Sequence, residues 1–221
     1  MSARCILLLG GSFDPVHLGH TSLARYFCTL LHPDELRLIP AGRPWQKPSM
    51  STPALHRIAM LQHAFRDWVV PVVIDRQEIE REGPSYAIDT LRALRAELGD
   101  EMSLVLLLGA DQLHNLHTWR DWQQLFDVAH LCVAARPGYS ISDDTLNAAV
   151  TREFSRRRAS PAQLRTTAHG LAYIAQDLAF NVSSTAIRTA LAAHDEPALN
   201  TLLPAPVLDY VQQHHLYQTA H

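Results

Sequence analysis

The sequence has few cysteines and no long apolar run, and each absence excludes a class of protein. Its 221 residues contain three cysteines, Cys5, Cys28 and Cys132, and their count and spacing fit neither a disulfide framework nor a zinc site. No apolar run approaches the roughly 18 residues of a membrane-spanning helix, and the N-terminal run is too short for a signal peptide. We therefore expect buried free thiols, a cytoplasmic location and no membrane partner.

A surplus of basic residues is also absent. There are 19 lysines and arginines against 22 aspartates and glutamates, a formal net charge of −3, so we expect no nucleic-acid partner. The run Arg156-Arg157-Arg158 could bind a polyanion, but the pattern favours a solvated face. The length and the 47% of hydrophobic residues predict a single domain over residues 1–221 and leave the oligomeric state open.

Apolar runs typical of buried strands alternate with segments of helical apolar spacing. The strand-like runs are Arg4 to Leu9, Glu35 to Pro40, Val69 to Ile74, Ser103 to Leu108, His130 to Ala134 and Ala172 to Ala175. This alternation predicts an α/β fold: a doubly wound, Rossmann-like and mainly parallel sheet with helices on both faces. We expect a helix-containing insertion over residues 137–170 and a small C-terminal helical part over about 183–217, with its last helix set apart by the proline-rich residues 203–206.

Within the helix-like segments, the apolar residues fall on one side of each predicted helix. They are Leu55, Ile58, Ala59 and Leu61 in one segment, and Ile88, Leu91, Leu94 and Leu98 in another.

The most informative segment is Gly-Gly-Ser-Phe-Asp-Pro-Val-His-Leu-Gly-His at positions 10–20, directly after an apolar run. The paired glycines let the backbone approach a ligand closely. Asp14 suits an N-cap and Pro15 the first helical position, so we expect a helix to begin here. His17 and His20 would share a face of its first turn, where free backbone N–H groups and the helix dipole favour phosphate. The segment predicts a phosphate-binding site.

A second phosphate site is indicated near the C-terminus. Ser183, Ser184 and Thr185 stand at a predicted helix start with Arg188 just inside it, and backbone donors, hydroxyls and a guanidinium can together hold phosphates. Ligands of open α/β sheets bind beyond the carboxyl ends of the strands. Residues 10–20 and 109–111 both fall there, so we expect these two motifs to converge.

The motif at positions 10–20 closely resembles that of the nucleotidyltransferase superfamily, whose mark is His-x-Gly-His at the start of the first helix. Residues 183–188 are similar to its second signature, Ser-Ser/Thr-x-x-Ile-Arg. The order and spacing of five further segments resemble bacterial nicotinate mononucleotide adenylyltransferases over nearly the whole chain. These segments are residues 39–47, 83–91, 108–111 with Leu116 and Trp119, 135–138, and 203–210.

The resemblance implies adenylyl transfer from ATP to nicotinate mononucleotide, giving nicotinate adenine dinucleotide (deamido-NAD) and pyrophosphate. It implies Mg²⁺ held mainly by the ATP phosphates, with no protein metal site. It assigns catalytic roles to His17, His20 and Arg188, and ATP binding to Gly10, Gly11, Ser12, Phe13, Lys47, Gly109, Asp111, Ser183, Ser184 and Thr185. Mononucleotide binding falls to Ser85, Tyr86, Ala87 and Trp119.

In the implied mononucleotide site, the pyridine ring stacks on Trp119, and backbone N–H groups near Tyr86 and Ala87 receive the nicotinate carboxylate. Two residues depart from the family pattern. Ala87 stands where threonine is common, and Gln46 where histidine is common, so a hydroxyl and an ionisable ring are absent.

Several alternatives stay open. The acceptor could be nicotinamide mononucleotide or phosphopantetheine, or the protein could sense nucleotides without turnover. Trp119 could be a core aromatic, and Asp111 could be the N-cap of a helix that begins at Gln112. The spacing of His114 and His117 could suggest a metal, but two ligands make a weak site and we favour surface or packing roles.

Overall fold

Six strands form one fully parallel sheet in the computed structural model, which describes residues 4–43, 52–134, 146–175 and 182–217. The strands are β1 (Cys5–Gly11), β2 (Glu35–Pro40), β3 (Val72–Ile74), β4 (Ser103–Gly109), β5 (His130–Ala134) and β6 (Ala172–Ala175). Their order is β3-β2-β1-β4-β5-β6, and every neighbouring pair is parallel. This confirms the doubly wound, Rossmann-like sheet, whose strand order reverses between β1 and β4.

Helices connect the strands and cover both faces of the sheet. They are α1 (Leu18–Leu31), α2 (Ala54–Ala64), α3 (Gln77–Glu80), α4 (Ala87–Leu98), α5 (Ala110–Asn115), α6 (Ala148–Arg156), α7 (Pro161–Thr166), α8 (Ser184–Ala192), α9 (Glu196–Leu202) and α10 (Ala205–Gln213). Two 3₁₀ turns, Leu116–Thr118 and Trp122–Asp127, follow α5. The last three helices confirm the small C-terminal helical part, with Pro204 at the N-cap of α10.

The two faces of the central strands pack into two separate layers. Leu7 and Leu9 point into the layer that contains α1, α2 and α7 to α10, whereas Ile6 and Leu8 point into the layer of α4, α5 and α6. All four side chains are buried. A strand buried on both faces gives a continuous apolar run rather than an alternating one, which is why the sequence located β1 and β4.

Two details of the predicted elements were wrong. The third strand begins at Val72 and not at Val69, because Val69 is fully exposed and Pro71 has no N–H to offer the sheet. Leu55 belongs to α2 but is exposed, while Arg57 takes a buried position on that helix. The spacing alone did not show that a charged side chain would occupy the inner face.

Residues 146–170 contain two helices, as expected, and they contribute to the core through Val150, Phe154 and Leu164. Residues 135–138 of the predicted motif lie outside the described part of the chain.

The solvated-face interpretation of the arginine run was wrong for Arg157. Its guanidinium lies 4.5 Å from the centre of the Phe126 ring and donates to the Gly170 carbonyl at 2.9 Å.

The three cysteines are buried and free, as predicted. Burial raises the pKa of the Cys28 thiol to about 11, so the neutral thiol dominates at physiological pH.

Among the described helices, none has the length and apolar character needed to cross a bilayer.

One buried histidine makes the stability of the fold depend on pH. His130 on β5 is fully buried; its Nε2–H donates to the Thr167 carbonyl at 2.8 Å, and its Nδ1 accepts from the Leu171 N–H at 3.1 Å. These two bonds require the neutral ring. Burial lowers the pKa of His130 to about 4, whereas an unfolded histidine has a pKa of about 6.5.

We therefore expect the free energy of unfolding to fall as the pH drops from about 7 to 4, because the unfolded chain takes up a proton that the folded chain rejects. The contribution of His130 is on the order of 3 kcal/mol. Denaturant unfolding at pH 7 and pH 4.5 measures it, and His130→Asn should show a weaker pH dependence than the wild type. The exposed His194→Asn is the control; an unchanged pH dependence in His130→Asn would contradict the prediction.

Candidate functional site

The candidate site lies where the strand order reverses. Leu9 of β1 pairs with Leu107 of β4, so the carboxyl ends of these two strands are adjacent. Two cavities of about 320 and 400 Å³ open beyond them, and both are lined by residues 10–12 and 111–112. Crevices at such reversal points are the usual ligand sites of open α/β sheets. The predicted convergence of the two motifs is therefore confirmed.

The smaller cavity, here called the histidine cavity, contains most residues predicted to bind ATP. His17 and His20 line it, together with Gly10, Gly11, Ser12, Gly109, Asp111, Ser183, Ser184 and Thr185. Phe13 and Arg188 do not line it. Phe13 contacts His20 and Arg188 donates to the Thr185 hydroxyl, and both His20 and Thr185 do line the cavity. Lys47 and Gln46 lie outside the described part of the chain. One surface thus joins segments from both halves of the sequence.

The first helix begins later than predicted. α1 starts at Leu18 with His17 as its N-cap, so Asp14 is not the cap and Pro15 is not the first helical residue. His20, the third helical residue, accepts the His17 backbone N–H on Nδ1 at 3.2 Å. The carboxyl of Asp14 instead accepts the Tyr217 hydroxyl at 2.7 Å. A tertiary contact therefore replaces the local capping role that the sequence suggested.

The two histidines lie together at the start of α1, although only His20 is within its first turn and His17 is the N-cap. Their ring centroids lie 3.7 Å apart in a stacked arrangement. Because Nδ1 of His20 accepts a backbone N–H, the neutral ring carries its proton on Nε2. Gly19 lies so close to His17 that an added Cβ would sit 3.0 Å from its ring, so a larger residue there would displace the histidine.

The start of α8 packs directly against the first motif. Ser183 caps the helix by accepting the Ala186 N–H at 3.2 Å. The Ser184 hydroxyl donates to the Pro15 carbonyl at 3.3 Å, and Arg188 donates to the Asp14 carbonyl at 2.8 Å and to the Thr185 hydroxyl at 3.2 Å. The starts of α1 and α8 therefore face one cavity, and both favour an anion.

The larger cavity, here called the tryptophan cavity, contains Ser85, Ala87 and Trp119. Tyr86 is not among its lining residues; it is the N-cap of α4, and its ring lies 4.9 Å from the Arg120 guanidinium. Trp119 also packs on the core, so its two predicted roles are compatible. Its indole Nε1 is buried and finds no acceptor within the described ranges.

Asp111 is not an N-cap. α5 begins at Ala110 with Gly109 as its N-cap, and the Gly109 N–H donates to the Gln112 side chain at 2.8 Å. Asp111 is therefore the second helical residue and lines both cavities. This position leaves its carboxylate beside the shared floor, where a ribose hydroxyl could be bound.

Glu78 and Thr90, two buried polar residues of the tryptophan cavity, are not among the site residues predicted from the sequence. The Thr90 hydroxyl donates to Glu78 Oε1 at 2.7 Å, and Arg81 donates to Thr90 at 3.3 Å. Burial is the main cause that raises the pKa of the Glu78 carboxyl, while the Thr90 bond opposes it. Glu78 stands in a polar stretch of sequence, so only its tertiary surroundings reveal that it is buried.

No group of three or more histidine, cysteine, aspartate or glutamate residues suited to a metal occurs in the described ranges. His117 Nδ1 lies 3.1 Å from the His114 carbonyl oxygen, and His117 is exposed, in keeping with a surface role for this pair.

The chain is similar to a known protein family over most of its length. The family model described as cytidylyltransferase-like matches residues 8–190. A Plasmodium falciparum nicotinic acid mononucleotide adenylyltransferase, solved in complex with NaAD, superposes with a TM-score of 0.73 at 16% identity and 97% coverage of each chain. At that identity the likeness establishes the fold. The chain belongs to the cytidylyltransferase-like family.

Relatives that match over nearly the full length of the chain identify a smaller group within this family. A Herminiimonas arsenicoxydans protein named probable nicotinate-nucleotide adenylyltransferase is 54% identical over 216 residues, 98% of each chain. A Chromobacterium violaceum protein of the same name is 40% identical, with coverage of 99% of this chain and all of the other. These similarities place the chain among the nicotinate-nucleotide adenylyltransferases.

The contact between Thr90 and Glu78 gives a testable prediction for the tryptophan cavity. Thr90→Val removes the 2.7 Å donor from a buried carboxyl, so the free energy of unfolding should fall by about 1–3 kcal/mol. Thr201→Val is the matched control, because the exposed Thr201 hydroxyl donates to the Ala198 carbonyl of its own helix. Denaturant unfolding of both variants measures the difference, and equal losses would contradict the prediction.

Proposed function

We propose that this protein transfers the adenylyl group of ATP to nicotinate mononucleotide, producing nicotinate adenine dinucleotide and pyrophosphate in NAD biosynthesis. One observation carries the proposal: two cavities of about 320 and 400 Å³ share a floor formed by residues 10–12 and 111–112. Two nucleotides bound side by side would bring their phosphates together there. We further propose that residues 1–221 act as one domain, in the cytoplasm.

The histidine cavity suits ATP. The starts of α1 and α8 meet there, and helix starts bind phosphate through free backbone N–H groups and the helix dipole. The hydroxyls of Ser184 and Thr185 lie at the same place, with Arg188 beside Thr185 at 3.2 Å. Asp111 and Gly109 stand next to the shared floor and would bind ribose hydroxyls.

The tryptophan cavity suits the mononucleotide. Trp119 offers a flat ring and an indole N–H that has no acceptor in the described chain, and a pyridine ring would stack on it. The side chain of Tyr86, the N-cap residue of α4, makes no capping hydrogen bond. Its first backbone N–H groups, including that of Ala87, would bind a carboxylate without needing the hydroxyl that Ala87 lacks. This favours nicotinate as the acceptor base.

The reaction requires no nucleophilic side chain. A phosphate oxygen of the mononucleotide attacks the α-phosphorus of ATP, the bond from that phosphorus to the bridging oxygen breaks, and pyrophosphate leaves with the electron pair. The protein orients the two phosphates and stabilises the negative charge that develops on the leaving pyrophosphate. His20, whose Nδ1 is occupied by the His17 backbone N–H, would donate its Nε2–H to a phosphoryl oxygen.

A divalent cation fits this site only with help from the substrate. The described residues provide no cluster of three metal-binding side chains, and Asp111 is the carboxylate at the floor shared by the cavities. Mg²⁺ takes few protein ligands in nucleotide sites and would neutralise charge on the ATP phosphates, held mainly by them and by water.

Nicotinamide mononucleotide is a second candidate acceptor, because the Glu78 carboxyl on the wall of the tryptophan cavity suits a neutral amide better than a carboxylate. Pyrophosphate release with ATP and Mg²⁺ tests the proposal, with nicotinate mononucleotide, nicotinamide mononucleotide and phosphopantetheine compared at equal concentration. Preference for the first supports the proposal. Preference for another acceptor changes the assignment of the tryptophan cavity. If no pyrophosphate is released with any of the three, the protein is better explained as a nucleotide sensor.

His20→Ala tests the reaction centre. Loss of a donor aimed at the transferred charge should lower kcat by about 10²–10³-fold. The fold should persist, with the melting temperature lowered only by the loss of the bond from the His17 N–H and of the His20 ring contacts. His117→Ala, an exposed histidine outside both cavities, is the control. Wild-type turnover in His20→Ala would refute the role of the histidine pair.

A further inference from the structure

The segment between β1 and α1 adopts a conformation that its own sequence does not favour. Phe13 has a φ of 49° in the left-handed region, although it is not a glycine, and its side chain is fully buried. A bulky residue stays in this region only when the surrounding structure fixes it. The contacts that fix residues 12–15 are therefore part of the site.

Two arginines hold the backbone on either side of Phe13. Arg57 of α2, with 2% of its surface exposed, donates to the Ser12 carbonyl at 2.8 Å. Arg188 of α8 donates to the Asp14 carbonyl, also at 2.8 Å. Guanidinium donors form strong, directional hydrogen bonds. These two helices thus hold the peptide group directly before Phe13 and the carbonyl of the residue after it.

A third contact comes from the segment after α10. The Tyr217 hydroxyl donates to Asp14 Oδ1 at 2.7 Å, and Asp14 is itself only 5% exposed. Thr52 is a second hydrogen-bond partner of this hydroxyl. Burial, the main cause, raises the pKa of Tyr217 well above its ordinary value, so the hydroxyl keeps its proton and remains a donor at neutral pH.

These contacts reach the histidine pair through aromatic packing. The Phe13 ring meets the His20 ring edge-on at 4.9 Å, and the His20 ring stacks on His17 at 3.7 Å. A shift of Asp14 that changes the backbone at Phe13 therefore moves the surface on which His20 rests. Tyr217 is thus connected to both histidines indirectly, through Asp14 and Phe13.

We propose that Tyr217 is a positioning residue for His17 and His20, so that the segment after α10 belongs to the active site. It acts through Asp14 and Phe13 and touches neither nucleotide. The effect on turnover rests on the proposed adenylyl transfer, whereas the effect on the histidine rings does not.

Tyr217→Phe tests this proposal by removing one hydroxyl and keeping the packed ring. We expect kcat to fall about tenfold, the scale of one lost hydrogen bond to a charged group, with the KM for nicotinate mononucleotide changed by less than twofold. The matched control is Tyr210→Phe on α10, whose hydroxyl lies 2.9 Å from His56 Nδ1 on α2. It loses the same hydroxyl from the same C-terminal region but at a contact with α2 and not with Asp14, so its kcat should equal that of the wild type.

Imidazole NMR resonances provide a measurement that needs no turnover. The Cε1–H signals of His17 and His20, assigned with His17→Gln and His20→Gln, should shift in Tyr217→Phe and stay in place in Tyr210→Phe. Unchanged signals and unchanged kcat in Tyr217→Phe would overturn the proposal. A lower melting temperature with wild-type kcat would also overturn it, by showing that the contact serves stability alone. A wild-type protein without adenylyl transfer would refute the proposed function, and the NMR comparison would still decide the positioning role.

Discussion

The site depends on the reversal of strand order between β1 and β4. Chain connections leave these two strands toward opposite edges of the sheet, which opens a crevice where their carboxyl ends meet. Gly10 and Gly11 end one strand and Gly109 ends the other. Both cavities open at this point, and the rigidity of the surrounding sheet fixes the distance between them. The positions of the functional groups on the helix starts therefore depend on the positions of these two strand ends.

The electrostatic character of the site is local. The chain has a formal net charge of −3, yet its proposed ligands are polyanions. The starts of α1 and α8 supply positive potential only near the histidine cavity, and α4 supplies it near Ala87. Dipoles of this kind act over about one helical turn, so the acidic remainder of the surface does not cancel them. A distributed basic patch would bind phosphates without choosing between two adjacent positions.

Sequence patterns predicted the elements whose stability is local or depends on simple burial. β2, β5 and β6 have the bounds expected from their apolar runs. In β2 and β5 nearly every residue is buried, and burial on both faces selects the same residue types throughout. The pattern failed at Asp14, whose capping preference is overridden by Arg188 and Tyr217, and at Val69, where exposure overrides strand propensity. Arg57 and Glu78 carry no local signal, because charged residues are normally exposed and only distant partners explain their burial.

A reaction without a protein nucleophile places its demands on geometry. The attacking oxygen, the phosphorus and the leaving oxygen must lie nearly in line, and a displacement of about 1 Å can cost a hundredfold in rate. The residues that touch the phosphates cannot meet this demand alone, because His20 rests on the ring of Phe13, which has an unfavourable backbone conformation. Buried polar groups behind the site, although expensive to desolvate, become worthwhile when they fix such a residue. Arg57, Asp14 and Tyr217 are of this kind. The free energy spent on burying them holds the backbone between β1 and α1 in one conformation beside the histidine cavity.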